Sequence, residues 1–188
     1  YEIVVDDRKG AAHVTTFLQA LLSHVSDKPL PSVSFNVGKG YQSRSGAIQT
    51  EIERLVRNGE LRSPALLLTE QIEGGNSVMV LSEMLSACGV THDVAALAAG
   101  RFRGAYSSAQ WEREIEPKLI VGAENSSVGL DFWAADNSGR KEVGGAYPVY
   151  DEAHDREYVD AVRREILILA ELLAPIITQR TQPLPPSS

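Results

Sequence analysis

The stretch Pro64-Ala65-Leu66-Leu67-Leu68, continuing into Thr69-Glu70-Gln71-Ile72-Glu73-Gly74-Gly75-Asn76-Ser77, decides how this chain folds. Four consecutive apolar residues after a proline form the pattern of a strand covered on both faces, which places residues 65–68 at the centre of a sheet. The polar, glycine-paired segment that follows cannot continue such a strand and reads as a loop. Val78, Leu81, Met84 and Leu85 then recur at helical spacing, and Gly89 supplies a stop. Strand, loop and helix in that order make one half of a parallel α/β unit, whose crossovers are right-handed.

The same alternation extends in both directions. Upstream, Glu2-Ile3-Val4-Val5-Asp6 is a short β-branched run, and Val14, Phe17, Leu18, Leu21, Leu22 and Val25 mark one face of a helix. Pro29 and Pro31 break the chain before a strand at residues 33–37, whose alternation predicts one less-buried face. Residues 38–46 are rich in Gly and Ser and have no apolar period, so they read as a mobile loop. Ile48, Ile52, Leu55 and Val56 mark a helix ending near Asn58-Gly59. Downstream, residues 90–99 supply another buried strand, and a short helix is expected around residues 110–115. Leu119-Ile120-Val121 and Leu130-Asp131-Phe132-Trp133 are further strand candidates, with a hairpin turn at Asn137-Ser138-Gly139. Val159, Val162, Ile166, Leu169, Leu172 and Leu173 form the stripe of a closing helix. The reading is one α/β domain with a mainly parallel central sheet flanked by helices. It spans residues 1–178, with a core of about 1–100, a small C-terminal or hood part of about 101–178, and a proline-rich, disordered tail at 179–188.

Composition narrows the function classes. The chain has 188 residues, 43% of them hydrophobic, enough to bury a core. A net charge of −7 argues against a general nucleic-acid surface, which needs clustered Lys and Arg. Cys88 is the single cysteine, so neither an intrachain disulfide nor a paired-cysteine zinc site is available, and a reducing, cytoplasmic setting is expected. No apolar run approaches the roughly 20 residues that span a bilayer, and a basic start followed by an apolar signal core is missing. Because Tyr1 leads at once into strand-like residues, the start is expected to have been trimmed, with native sequence missing before it.

In open parallel sheets, ligands bind outside the carboxyl ends of strands, where a helix N-terminus directs its amides at an anion. Residues 69–77 occupy that place. Gly74 and Gly75 let backbone approach a phosphate closely, and Asn76 and Ser77 either cap the helix or donate to phosphate oxygens. The plainer alternative is a tight strand-to-helix turn.

Here the chain resembles the type I phosphoribosyltransferases, whose signature is four apolar strand residues, two acids, an apolar pair and a loop of small residues. Ala65 to Leu68 match the strand, Glu70 the second acid, Ile72 an apolar position, and Gly74, Gly75, Asn76 and Ser77 the loop. The run Ile3-Val4-Val5-Asp6-Asp7-Arg8-Lys9-Gly10-Ala11 is similar to the family's first strand and diphosphate loop, and residues 38–46 to its flexible loop. The likeness covers about residues 2–97. It implies that residues 74–77 hold the 5-phosphate of 5-phosphoribosyl diphosphate and that Glu70 lies near the ribose. Asp7, Arg8, Lys9 and Gly10 are implied at the diphosphate, where Arg8 and Lys9 stabilise the departing charge. It also implies that Lys39, Tyr41 and Arg44 close over the reaction, and that Mg2+ is shared by Glu70 and Asp7.

Arg101 and Arg103 follow a strand on the ligand side and are candidates for the acceptor, while Phe132 and Trp133 stack on a base or pack in the core. The implied activity is transfer of a phosphoribosyl group to a nitrogen acceptor such as a nucleobase, releasing diphosphate. The expected partner is a sugar phosphate or nucleotide, with a homodimer compatible and neither nucleic acid nor membrane expected. Two departures open a second reading. Thr69 replaces the first acid, and Glu73 brings negative charge towards the phosphate, where repulsion at ~4 Å is about 1 kcal/mol in water and several-fold more near a protein surface. The alternative is a catalytically inactive member that binds a nucleotide, sugar phosphate or protein partner. His13, His24, His92 and His154 are scattered without metal-site spacing and are expected to be structural.

Overall fold

A computed structural model describes residues 1–7, 11–26, 28, 30–37, 45–72, 75–99, 108–124 and 152–181. The elements are β1 (Ile3–Asp7), α1 (Ala12–Val25), β2 (Ser32–Phe35), α2 (Ser45–Arg57), β3 (Ala65–Ile72), α3 (Asn76–Ala87), β4 (His92–Ala99), α4 (Ser108–Glu114), a 3-10 turn (Glu116–Lys118), β5 (Leu119–Glu124) and α5 (Glu152–Thr181). The five strands form one sheet in the order β2-β1-β3-β4-β5, and every pairing is parallel. The expected parallel α/β sheet is therefore present, with the Leu66-Leu67-Leu68 strand in its middle.

Each strand pair needs a crossover, and the direction of travel assigns the faces. β1 to β2 steps one way, and the return to β3 steps the other, so right-handed connections put α1 and α2 on opposite faces. The buried clusters agree with this. Ile3, Val5, Leu67, Val94 and Ala96 pack with Ile48, Ile52 and Leu55 of α2, Leu81 and Leu85 of α3, and Trp111 of α4. On the other face Val4 and Leu68 pack with Val14, supported by Leu18 and Ala95. Burying each such side chain stabilises the fold by about 1.5–3 kcal/mol. β2 has one less-buried face, as the alternation predicted, and it lies at the edge of the sheet.

α5 docks on α1 through Ala170 and Ala174, which meet Leu21, with Leu173 and Ile177 alongside. Its outer side leaves Leu167, Ile168, Leu169, Leu172 and Ile176 exposed. The helix is longer than its stripe predicted. It accommodates Pro175 and runs to Thr181, so the tail boundary set at residue 179 falls inside it.

β3 also exceeds its expected length. The reading ended the strand at Leu68 and gave Thr69, Glu70, Gln71 and Ile72 to the loop, yet the ladder continues with Thr69 opposite Ala96, Gln71 opposite Ala98 and Ile72 opposite Ala99. A partner strand of equal length, ending in small alanines, satisfies these backbone groups and overrides the polar character of Thr-Glu-Gln. At the other edge, Gly122 of β5 lies so close to β4 that a Cβ there would stand 2.9 Å from the Leu97 carbonyl oxygen, which explains a glycine inside a strand. The strand and hairpin expected at residues 130–139 lie outside the described residues.

Candidate functional site at the carboxyl edge of the sheet

The strand order reverses between β1 and β3, and such a switch point opens a crevice at the carboxyl ends of the strands. Both strands lead into helices there. In register, Asp6 stands beside Leu68, so Asp7 and Thr69 occupy the next level of the sheet. The diphosphate-loop candidate and the small-residue turn thus follow adjacent strands, although Asp7 and Thr69 are 62 positions apart in sequence.

Gly75 decides the geometry of the turn. Its φ of 66° is left-handed, and it forms the N-cap of α3 with no side-chain cap. Left-handed backbone costs an L-residue roughly 1–2 kcal/mol, and glycine escapes that cost. Asn76 and Ser77 are then the first two helical residues rather than caps, which corrects one of the two roles expected of them. The first amides of a helix point out of its end, towards the carboxyl edge in this case. α1 also starts on this edge without a side-chain cap at Ala11, whose amide donates to the Asp7 carbonyl at 3.3 Å. Two helix N-termini therefore open on one side of the sheet, one on each face.

The acids divide by burial. Asp6 is buried in the crest, where the Thr15 hydroxyl donates to its Oδ2 at 2.9 Å. Asp7 remains partly exposed, so it is the carboxylate of this pair able to face a ligand. Thr69, standing where the family signature has its first acid, is also buried. Glu70 lies on β3 near its end, and nothing further is described of its side chain. Arg8, Lys9, Gly10, Lys39, Tyr41, Arg44, Glu73, Gly74, Arg101 and Arg103 lie outside the described residues.

Asp6 and Thr15 do not stand out together in the sequence, although a Thr at the fourth position of a helix that follows an acid-tipped strand is a readable cue. Charge-assisted hydrogen bonds contribute about 1.5–3 kcal/mol. Thr15→Val, which keeps the shape and removes the donor, is expected to cost that amount, read as a lower urea midpoint at unchanged slope.

His13, in the first turn of α1, is half-buried. Its Nε2 is enclosed with no hydrogen-bond partner among the described residues, and burial, then the nearby Arg163, pushes its pKa down. A neutral imidazole therefore stands at the start of this helix. No group of three or more His, Cys, Asp or Glu able to hold a metal occurs among the described residues, and none of their helices is long and apolar enough to cross a membrane.

The fold defines a class: a parallel α/β domain whose strand order reverses between β1 and β3. Comparisons of the chain with protein-family models, curated proteins and solved structures found no match.

Proposed function

We propose that the crevice between β1 and β3 binds 5-phosphoribosyl diphosphate and transfers its phosphoribosyl group to a nitrogen acceptor of the nucleobase type, with diphosphate leaving. The observation that supports this most is the adjacency of β1 and β3, whose pairing ends at Asp6 opposite Leu68, one strand leading to α1 and the other to α3 with its left-handed Gly75 N-cap. A sugar carrying a phosphate at one end and a diphosphate at the other needs two anion sites, and two helix starts open on this one edge. In this reading residues 74–77 hold the 5-phosphate. Arg8 and Lys9 stabilise charge on the departing diphosphate, and Glu70 orients the ribose. Magnesium prefers carboxylate and phosphate oxygens, which suits Asp7 and Glu70 as its protein ligands; when bound it neutralises the diphosphate. Lys39, Tyr41 and Arg44 cover the reacting atoms, and Arg101 and Arg103 meet the acceptor.

A second reading is favoured by the burial of Thr69. With that residue inside the sheet, the first acid of the family signature has no exposed substitute, and the site then binds its ligand without chemistry. Titration calorimetry with 5-phosphoribosyl diphosphate and magnesium, followed by a diphosphate-release assay over a set of nucleobases, separates the two. Binding with release supports the enzyme, and binding without release supports the binding protein. No heat at millimolar ligand removes the enzyme and any binding protein for this sugar diphosphate.

A further inference from the structure

The opposite, amino edge of the sheet carries a polar cluster that the crest does not use. His92 opens β4, Ser82 lies in the middle of α3, and Lys118 ends the 3-10 turn that leads into β5. Ser82 and His92 are both buried. The Ser82 hydroxyl oxygen is 2.8 Å from His92 Nε2, and Lys118 Nζ is 2.9 Å from each of them.

The protonation state follows from the partners. His92 Nδ1 lies 3.0 Å from the Val90 carbonyl, which can only accept, so Nδ1 carries the hydrogen and Nε2 presents its lone pair. That lone pair faces the Lys118 ammonium. Lys118 thereby ties the turn before the edge strand both to α3 and to the start of β4. A second proton on His92 would turn Nε2 into a donor and place two cations 2.9 Å apart in a desolvated corner. Lys118 is partly exposed, so it can swing out to water, whereas His92 cannot.

We propose that the Ser82–His92–Lys118 triangle is an acid-released latch that holds β5 on the edge of the sheet. The charged surroundings leave the direction unchanged. Asp93 attracts both cations, but its carboxylate already accepts from the Tyr1 hydroxyl at 2.6 Å; Glu114 faces Lys118 and pairs with Arg113 at 2.8 Å. Burial first, with Lys118 adding to it, holds the His92 pKa below the ordinary imidazole value despite the Val90 bond and Asp93. Burial likewise lowers that of Lys118. Because the folded His92 binds its proton less readily than the unfolded one, stability is full above the unfolded value of about 6.5 and is lost as pH falls from there through the folded value.

Amide hydrogen exchange of the full chain, corrected for intrinsic rates, tests the latch at about pH 7.5 and about pH 5, on either side of the ordinary imidazole value. Residues 119–124 are expected to lose protection at the lower pH by roughly tenfold or more relative to residues 3–7 and 65–72, as the edge strand opens locally. His92→Gln, which cannot titrate, should abolish that difference. An NMR titration of the wild-type His92 ring provides a readout independent of the variant: its midpoint should lie below the ordinary value and coincide with the loss of β5 protection. Equal loss in all three strands, unchanged β5 protection, or a ring midpoint at or above the ordinary value would overturn the latch.

Discussion

A Gly75→Val protein is expected to keep its sheet and to bind 5-phosphoribosyl diphosphate at least roughly a hundredfold more weakly than wild type, a loss of about 2.7 kcal/mol. At a φ of 66° a β-branched side chain is a genuine outlier, so the backbone must leave the left-handed region. That movement re-aims the first amides of α3, the groups proposed to meet the 5-phosphate. The fold itself should survive, because the residue lies after the last rung of the β3 ladder, which ends at Ile72. Calorimetry reads the affinity, and far-ultraviolet circular dichroism with a urea titration reads the fold. Unchanged affinity in a folded variant would detach the turn from the ligand. If wild type itself gives no heat, the proposed function fails before the variant is considered.

Leu67→Ala carries the other large effect, on stability. Leu67 is 1% exposed in the central strand and packs into the larger of the two clusters that cover the sheet. Cutting its isobutyl side chain back to a methyl loses transfer energy and leaves a cavity between strand and helix, for an expected cost of about 2–5 kcal/mol. Against a typical total of roughly 5–15 kcal/mol, that is a substantial fraction of the whole stability. Leu172→Ala is the matched control, since Leu172 is 66% exposed on the outer side of α5 and should change stability by no more than about 0.5 kcal/mol. Urea midpoints of the two variants, measured together, check the contrast. Similar losses at both positions would mean that the outer face of α5 is covered in solution.

Much of the domain was legible from local pattern. Leu66, Leu67 and Leu68 marked the central strand, and Ile48, Ile52 and Leu55 marked the helix on its inner face, because burial on a helix or strand repeats with the backbone's own period. The alternation in residues 33–37 likewise announced a strand with one less-buried face, while its place at the edge of the sheet came only from the strand order. Element ends were less legible. Thr69, Glu70 and Gln71 have the composition of a loop, and only the matching length of β4 keeps them in the ladder. Pro175, a residue that ordinarily breaks a helix, sits inside α5, whose docking on α1 through Ala170 and Ala174 outweighs the lost hydrogen bond.

The candidate site divides along the same line. Gly75 stood out in the sequence, with Gly74, as a place where backbone can approach a phosphate closely, but its left-handed N-cap conformation came only from the structure. The roles of Asp6, Asp7 and Thr69 were not legible, because which carboxylate is buried depends on neighbours from other elements; Thr15 reaches Asp6 only once α1 lies over β1. The amino-edge triangle was invisible, as Ser82, His92 and Lys118 belong to three elements and share no motif.

By itself, then, the chain of 188 residues determined the succession of strands and helices and the glycine that turns one into the next, since both depend on neighbours within a few positions. Tertiary structure alone decided that β1 and β3 lie side by side, that Asp6 and Thr69 are enclosed, and that Lys118 meets a neutral His92. Those outcomes depend on crossovers and packing between distant segments, and no periodicity within a single segment encodes them.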